Sequence, residues 1–354
     1  MNKTRQKNKK TKKERIMIAV CVILMIISVL SIAFTLFWNS KPLDNQKGNN
    51  FDPTKESGFD AGYTTPDKKQ INFLIAGVKE DLTDVLMVAC VDVEKNSVEI
   101  LQIPRDTYVS NDSKSGKINE AYKSYGDEDL KPIARTQKAI YDQFKLTIDY
   151  YLVFNLSSFR NTVDAMGGIP ITLSEPLIYT DTQKLPAGYQ VLDGEKAEWF
   201  VRERYNRSKL GDIGRISAQR LFLAATVQRV KNLGISEIVT DVIPTVLKDK
   251  DNFSSDMTVG EMTNFAKMFI GIKTENIRIH MLPGQEVTPN GNSLYGLHAN
   301  ETAKLLNDYF RPYTSKVNVD KLGIIDCEKT IDDFENTDDN FDELLNGKEP
   351  GQKN

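Results

Sequence analysis

Histidine and cysteine are scarce in this chain. His280 and His298 are its only histidines, and Cys21, Cys90 and Cys327 its only cysteines, in 354 residues. Three scattered cysteines form no disulfide framework. Without a CxxC or Cys/His spacing there is no basis for a zinc site, and two histidines offer little for a histidine-based triad. No G-x-S-x-G elbow, P-loop, G-x-G-x-x-G or internal repeat occurs either. Positive charge is also outnumbered past the N-terminus. The first fifteen residues hold eight Lys/Arg and one Glu, so a formal charge of −3 for the whole chain leaves −10 for the remainder. An acidic body lacks the basic footprint of a nucleic-acid binder, so no nucleic-acid partner is expected. Any anionic ligand must be met by a local arginine cluster.

One long apolar run is present. Ile16 to Trp38 spans 23 residues without a charge, enough to cross a hydrocarbon core. It is longer than a typical signal-peptide apolar region. Trp38 suits the far interface, and the basic block before the run predicts a cytoplasmic N-terminus with the rest of the chain outside the membrane. The expected division is a cytoplasmic basic segment at 1–15, a transmembrane helix at 16–38, a flexible linker at 39–70, a globular domain at 71–325 and an acidic disordered tail at 326–354. The linker is rich in Asn, Asp, Lys, Gly and Pro, without apolar periodicity.

Within the domain, Ile71–Gly77, Val85–Asp92 and Ser97–Ile103 read as three strands, the last two joined by a hairpin turn at Glu94-Lys95-Asn96. The near-continuous apolar run Val85–Val91 predicts a strand covered on both faces. Helices are expected at Ile133–Phe144, Ser157–Met166, Glu237–Leu247, Thr258–Phe269 and Ala299–Phe310. Strands are expected at Tyr150–Asn155, Ile169–Leu173 and Asn276–Leu282. Thr258 and Glu261 form a capping-box pattern. Strands alternating with helices predict an α/β fold, an α/β/α sandwich around a central mixed sheet.

Two places carry chemistry. Leu192 to Arg220 holds Arg202, Arg204, Arg207, Arg215 and Arg220 on two predicted helices, one from Glu195 and one from near Gly214 to Val230. Arg215 and Gln219 stand four residues apart on one helical face, close enough to grip one ligand. Arginine's rigid charged fork suits phosphate oxygens. The second place is the end of the third strand, Pro104-Arg105-Asp106. If the second and third strands are antiparallel neighbours, Asp84 at the start of one lies beside Arg105 and Asp106 at the end of the other. A carboxylate near arginines and phosphate suits Mg²⁺. Lys117–Tyr122 reads on its own as an ordinary loop entering a helix, and Asp164 before Gly167-Gly168 as a structural cap or turn residue.

The ordered set Thr83-Asp84, PRDTYV (Pro104–Val109), KINEAY (Lys117–Tyr122), VDAMGGI (Val163–Ile169), LDGEKA (Leu192–Ala197), VRER (Val201–Arg204) and DIGRISAQ (Asp212–Gln219) resembles the LytR-CpsA-Psr family over about residues 71 to 311. The resemblance implies a membrane-anchored phosphotransferase of the Gram-positive cell envelope. Such an enzyme moves a glycan phosphate, of teichoic acid or capsule type, from a polyprenyl pyrophosphate carrier to peptidoglycan. It also implies an apolar channel for the polyprenyl chain. Matching positions are Asp84 for Mg²⁺ and Arg105, Arg202, Arg204 and Arg215 for the pyrophosphate. Asp106, Asp212 and Gln219 match as well, with Asp106 or Asp212 the base for the acceptor hydroxyl.

Three positions depart from the family pattern. The aspartate usual soon after the first strand is missing at Gly77-Val78-Lys79, with Glu80 or Asp81 the nearest substitute ligand. Arginines usual two residues before Asp84 and three after Arg215 are replaced by Leu82 and Ala218. These departures motivate the alternative of a non-catalytic polyprenyl-phosphate-binding envelope regulator.

Overall fold

The computed structural model describes residues 44, 46–56, 69–109, 115–202, 211–249, 251–327 and 338–348, with the backbone alone over 211–217 and at 290. The expected segments 1–15 and 16–38 lie outside these, as does Arg204. Among the described residues no helix is long and apolar enough to cross a membrane.

The strands are β1 (Gln70–Lys79), β2 (Leu82–Asp92), β3 (Ser97–Gln102), β4 (Tyr150–Phe154), β5 (Ile169–Leu173), β6 (Leu177–Ile178), β7 (Lys184–Leu185), β8 (Gly188–Leu192), β9 (Phe253–Ser255), β10 (Ile277–Met281), β11 (Gly284–Val287), β12 (Leu294–Leu297) and β13 (Asp339–Asn340). The helices are α1 (Pro132–Phe144), α2 (Leu156–Ala165), α3 (Gly194–Arg202), α4 (Gly211–Glu237), α5 (Ile243–Lys248), α6 (Val259–Gly271), α7 (Ala299–Tyr309) and α8 (Phe341–Leu345).

The second strand shows why the sheet has two covered faces. Side chains alternate across a strand, so Leu86, Val88 and Cys90 enter one apolar cluster while Met87, Ala89 and Val91 enter the other. The first cluster is closed by Ile133, Ile140 and Phe144 of α1 and by Leu305 and Leu306 of α7. The second takes Ala224 and Val227 of α4, Phe265 of α6 and Phe341 of α8. The expected α/β/α sandwich is therefore present. Burial pushes the Cys90 thiol well above its usual range, so it packs as a small apolar group.

Among the described residues the central sheet has seven strands in the order β13-β10-β3-β2-β1-β4-β9. Strand β1 is parallel to β4 and β3 to β10, whereas β2 is antiparallel to both β1 and β3. The carboxyl ends of β1, β3, β4 and β10 thus share one edge, together with the start of β2. Asp84, Arg105 and Asp106 lie at that edge.

Local signals explain the helix starts. Asn155 accepts from the Ser157 and Ser158 amides at 2.9 and 3.0 Å to cap α2. Thr258 and Glu261 make the reciprocal capping box of α6. Helix α4 begins at Gly211, earlier than expected, and kinks at Gly234, where φ is 79°. Glycine permits that left-handed geometry without a Cβ clash. The helix expected at Glu237–Leu247 is a π-helical turn, Ile238–Val242, followed by α5.

Two expectations of disorder are corrected. Within the predicted flexible linker, Asp44 and residues 46–56 lie against the domain. Gln46 accepts from the Ile133 amide at 2.9 Å and donates to the Tyr122 hydroxyl at 3.1 Å, and the Phe51 ring sits 5.7 Å from that of Tyr141. Within the predicted acidic tail, Asp339 and Asn340 form edge strand β13 beside β10, and α8 follows. Phe341 and Leu344 are buried there at 0% and 2% exposure. Each fully buried side chain of this kind contributes about 1.5–3 kcal/mol, enough to hold a short segment whose average composition is polar. Composition described the tail; two apolar side chains decide its fate.

Candidate active site

Strands β1 and β2 meet through a turn of only two residues, Glu80 and Asp81, since Lys79 pairs with Leu82. Glu80 adopts φ 58°, uncommon for a side chain other than glycine. This short turn sets Asp84 three residues into β2, at the sheet edge. Strand β3 runs back antiparallel to it, pairing Met87 with Gln102, and Pro104 then ends the strand. Arg105 consequently reaches Asp84, with Nη1 2.9 Å from Oδ1. The sequence-derived juxtaposition of Asp84 with Arg105 and Asp106 is present.

The loop carrying Arg105 and Asp106 is held rigidly. Thr107 is fully buried and its hydroxyl donates to the Pro104 carbonyl at 2.6 Å. The Arg105 carbonyl accepts from the Asn119 amide, and the Asp106 carbonyl from the Tyr295 amide. Lys117, expected to be a plain loop residue, places Nζ 2.8 Å from Asp106 Oδ1, while Arg105 Nε lies 3.7 Å from Asp106 Oδ2. Asp84, Arg105, Asp106 and Lys117 therefore form one alternating-charge group. Asp84 is nearly half exposed and the other three about one-quarter, so an incoming anion can reach the two cations.

The arginine stretch is built on a close approach of α2 and α3. A Cβ on Gly194 would lie 2.5 Å from the Arg160 carbonyl oxygen, which requires glycine there. Asp164 Oδ1 accepts from the Gly194 amide at 2.8 Å, and Asp193 Oδ1 from the Lys196 amide at 2.9 Å. Asp164 is thus structural, as expected, but it serves the next helix rather than its own turn. Arg202, at the end of α3, donates to Glu198 at 2.5 Å, and Glu198 also faces Arg160 at 3.2 Å. No described contact links Arg202 to the group around Asp84. Asp212 and Arg215 fall on the first turns of α4, where only the backbone is described. One turn further, Gln219 Oε1 accepts from Gln102 Nε2 at 3.3 Å, tying α4 to the end of β3.

The altered positions have partners of their own. Asp81 lies 3.7 Å from Lys123, and Lys79 lies 4.0 Å from Glu80. Ala218 is 1% exposed, within the cluster of Phe200, Phe222 and Ile169, so it serves packing. Among the described residues, no group of three His, Cys, Asp or Glu gathers as a preformed metal cage. Mg²⁺, however, commonly uses one or two carboxylates and fills its shell with water and substrate phosphate. Asp84 fits that role, since among the described residues its second oxygen accepts no hydrogen bond. Asp81 fits only if it leaves Lys123.

Sequence reasoning missed Lys117, Gln102 and Asp339. Lys117 sits in a motif that carried no chemistry by itself. Gln102 ends an apolar strand, and Asp339 lies in a segment expected to be disordered.

Over 203 residues the chain is 29% identical to "Polyisoprenyl-teichoic acid--peptidoglycan teichoic acid transferase TagU" of Bacillus cereus, covering 55% of this chain and 64% of that protein. It is 28% identical over 264 residues to "Cell wall biosynthesis protein LcpA" of Corynebacterium glutamicum, covering 67% of this chain and 50% of that one. The chain thus spans less than two-thirds of the length of either relative. The crystal structure of B. subtilis TagV superposes with a TM-score of 0.59 at 21% identity, over 71% of this chain and 100% of TagV, and shares the fold. The LytR_cpsA_psr family model matches residues 36–311, and the chain belongs to that family.

Proposed function

We propose that this protein is a membrane-anchored, extracytoplasmic transferase that moves a glycan phosphate from a polyprenyl pyrophosphate carrier to a peptidoglycan hydroxyl. The observation that carries this reading is the Asp84–Arg105–Asp106–Lys117 group at the carboxyl edge of the sheet, where Gln219 of α4 is hydrogen-bonded to Gln102 at the end of β3. Open α/β sheets bind ligands at such edges. Phosphoryl transfer needs positioning and charge neutralisation more than covalent chemistry. The names of the Bacillus and Corynebacterium relatives point the same way. The anchor is the 16–38 run, with the N-terminus cytoplasmic.

Residue roles follow from charge and position. Arg105, with Arg202, Arg204 and Arg215, takes the pyrophosphate oxygens, and Gln219 adds a neutral donor. Arg202 joins by exchanging Glu198, which Arg160 can continue to hold. Asp106 is already engaged by Lys117 and Arg105, which favours Asp212 as the base for the acceptor hydroxyl. Asp84 would hold Mg²⁺, and the bound ion would offset charge on the pyrophosphate. For the lipid, the layer between the sheet and helices α4 and α6 supplies an apolar lining. There Ile75, Val85, Leu152, Leu221, Met262 and Phe265 are only partly buried. The opposite layer of the sandwich is much more completely closed.

A second reading rests on the pairing of Asp84 with Arg105 and of Asp81 with Lys123. Carboxylates satisfied by cations suit a protein that binds polyprenyl phosphate without turnover and regulates the envelope.

The experiment incubates the full-length chain with a polyprenyl pyrophosphate-linked oligosaccharide and a peptidoglycan fragment, in Mg²⁺ or EDTA. The full chain is needed because a fragment ending at Cys327 would lack β13 and α8. Mass spectrometry reads released polyprenyl phosphate and modified acceptor. Both products in Mg²⁺ alone support the transferase. Tight lipid binding that persists in EDTA, with neither product from two different donor glycans, supports the regulator.

A further inference from the structure

We infer that Asp339, 120 residues beyond Gln219 in the chain, is a positioning residue that orients the Gln219 amide so that its NH₂ faces the anionic ligand. This inference rests on the pyrophosphate site proposed above.

The relay begins with a buried ion pair. Arg220 and Asp339 are each 1% exposed, and Arg220 Nη1 lies 2.7 Å from Asp339 Oδ2. An arginine excluded from water to this degree needs a carboxylate partner. With its fork fixed, Arg220 Nε donates to Gln102 Oε1 at 3.0 Å.

That contact decides an orientation that shape alone leaves open. The oxygen and nitrogen of a glutamine amide are nearly the same size, and only the hydrogen-bond network assigns them. Guanidinium has donors and no acceptor. The Gln102 atom facing Arg220 must therefore be oxygen, and its other end must be NH₂. That NH₂ lies 3.3 Å from the Gln219 side chain, so Gln219 must turn its own oxygen inward. The Gln219 NH₂ then points away from Gln102, and among the described residues it makes no hydrogen bond. It stands one helical turn from Arg215. Reversed, the amide would present a carbonyl oxygen to phosphate oxygens, which is repulsive.

The carboxylate is held by the C-terminal segment as a whole. Asp339 pairs with Ile279 and Asn340 with Arg278 along β10, and Phe341 and Leu344 are buried behind them. The segment of β13 and α8 thereby fixes a donor in the site.

The test uses the full-length chain in detergent micelles and farnesyl pyrophosphate as the probe, with affinity measured by calorimetry. Gln102→Leu removes the relay while conserving size. The double variant Arg220→Met/Asp339→Leu replaces the buried pair with apolar groups, a change that often leaves stability intact. Each is expected to bind about twofold more weakly than wild type, because a freed amide divides between two orientations and only one of them donates to the anion. Gln219→Leu alone should cost about tenfold, the scale of one hydrogen bond to a charged group, and adding Gln102→Leu to it should cost nothing further, because Gln102 acts only through that amide. Fully additive losses, or wild-type affinity in a folded double variant, would overturn the inference. If the double variant does not fold, Gln102→Leu and its cycle with Gln219→Leu still decide. The Gln219 side-chain amide resonances of the free protein provide a ligand-independent reading. They should shift in Gln102→Leu, and an unchanged spectrum refutes the relay. Wild type that fails to bind the probe while that shift is present counts against the pyrophosphate site instead.

Discussion

Asp84 and Arg105 stand 21 residues apart in the chain and 2.9 Å apart in space. The contact is a consequence of topology. Two antiparallel strands joined by the turn at 93–96 return the chain to its starting edge, and Pro104 stops the second strand there. The pair is partly exposed, which separates its chemical role from its structural one.

Removing either partner should therefore damage chemistry far more than folding. Partly exposed ion pairs contribute about 0–1 kcal/mol, so Arg105→Ala and Asp84→Ala should melt within a few degrees of wild type. Loss of a group that stabilises developing phosphate charge costs on the order of 10²–10³ in rate. Released polyprenyl phosphate in a purified system measures this. Transfer at the wild-type rate in Arg105→Ala would refute the assignment.

Lys117 gives a second, independent test. It shares the Asp106 carboxylate with Arg105, taking Oδ1 at 2.8 Å while Arg105 Nε lies 3.7 Å from Oδ2. Lys117→Ala should leave Arg105 as the only cation of the group facing both Asp84 and Asp106, so that a larger share of its charge is taken up by carboxylates and less is offered to an anion. About a tenfold loss of affinity is expected, the value of one charge-assisted hydrogen bond. Lys117→Arg should recover part of it. Titration with farnesyl pyrophosphate distinguishes these outcomes, and equal affinities for wild type and Lys117→Ala would remove Lys117 from the site.

Much of this fold is local enough to read from sequence. The alternating burial of Leu86 to Val91, the capping box at Thr258 and the stop at Gly167 each depend on neighbours within a few residues. The meeting of Asp84 with Arg105 needed only one hairpin. Lys117 was hidden because its partner Asp106 is eleven residues away, across a stretch whose sequence shows no periodicity. Asp339 was hidden more deeply. Its value lies in a buried contact with Arg220 across 119 residues, and the surrounding acidic composition points the other way. Non-local pairing between single side chains leaves no pattern in a single sequence.

The C-terminal segment supplies a stability prediction. Phe341 is fully buried in the layer formed with Val227, Ile279 and Ile277. Phe341→Ala should destabilise the domain by about 3–5 kcal/mol, the usual range for a buried aromatic replaced in this way. Urea unfolding of the full-length chain measures it through the midpoint. A truly disordered tail would give no change, so an unmoved midpoint would contradict the packing of α8.

His280 makes docking of the same segment depend on pH. Its ring is fully buried, with Nε2 2.6 Å from Glu99 and Nδ1 2.8 Å from Asp338, and it packs on the rings of Tyr309 and Phe310. Arg278 also faces Glu99, at 3.9 Å. Burial opposes charge on the imidazole, but the hydrogen bonds and charges of Asp338 and Glu99 outweigh it and raise the His280 pKa above its ordinary value. Both ring nitrogens face carboxylates, which accept and do not donate, so only the protonated ring satisfies both. A folded-state pKa above the unfolded one gives stabilisation that is complete below about pH 6.5 and is lost as pH rises through the folded value. The urea midpoint should therefore fall as pH is raised from about 6 towards alkaline values. Asp338→Asn should lower the His280 pKa and move this fall to lower pH. His280→Gln should remove the histidine's contribution to the pH dependence. Imidazole proton resonances followed through the titration report the pKa directly. A His280 resonance titrating below about 6.5 would contradict both the sign and the contact.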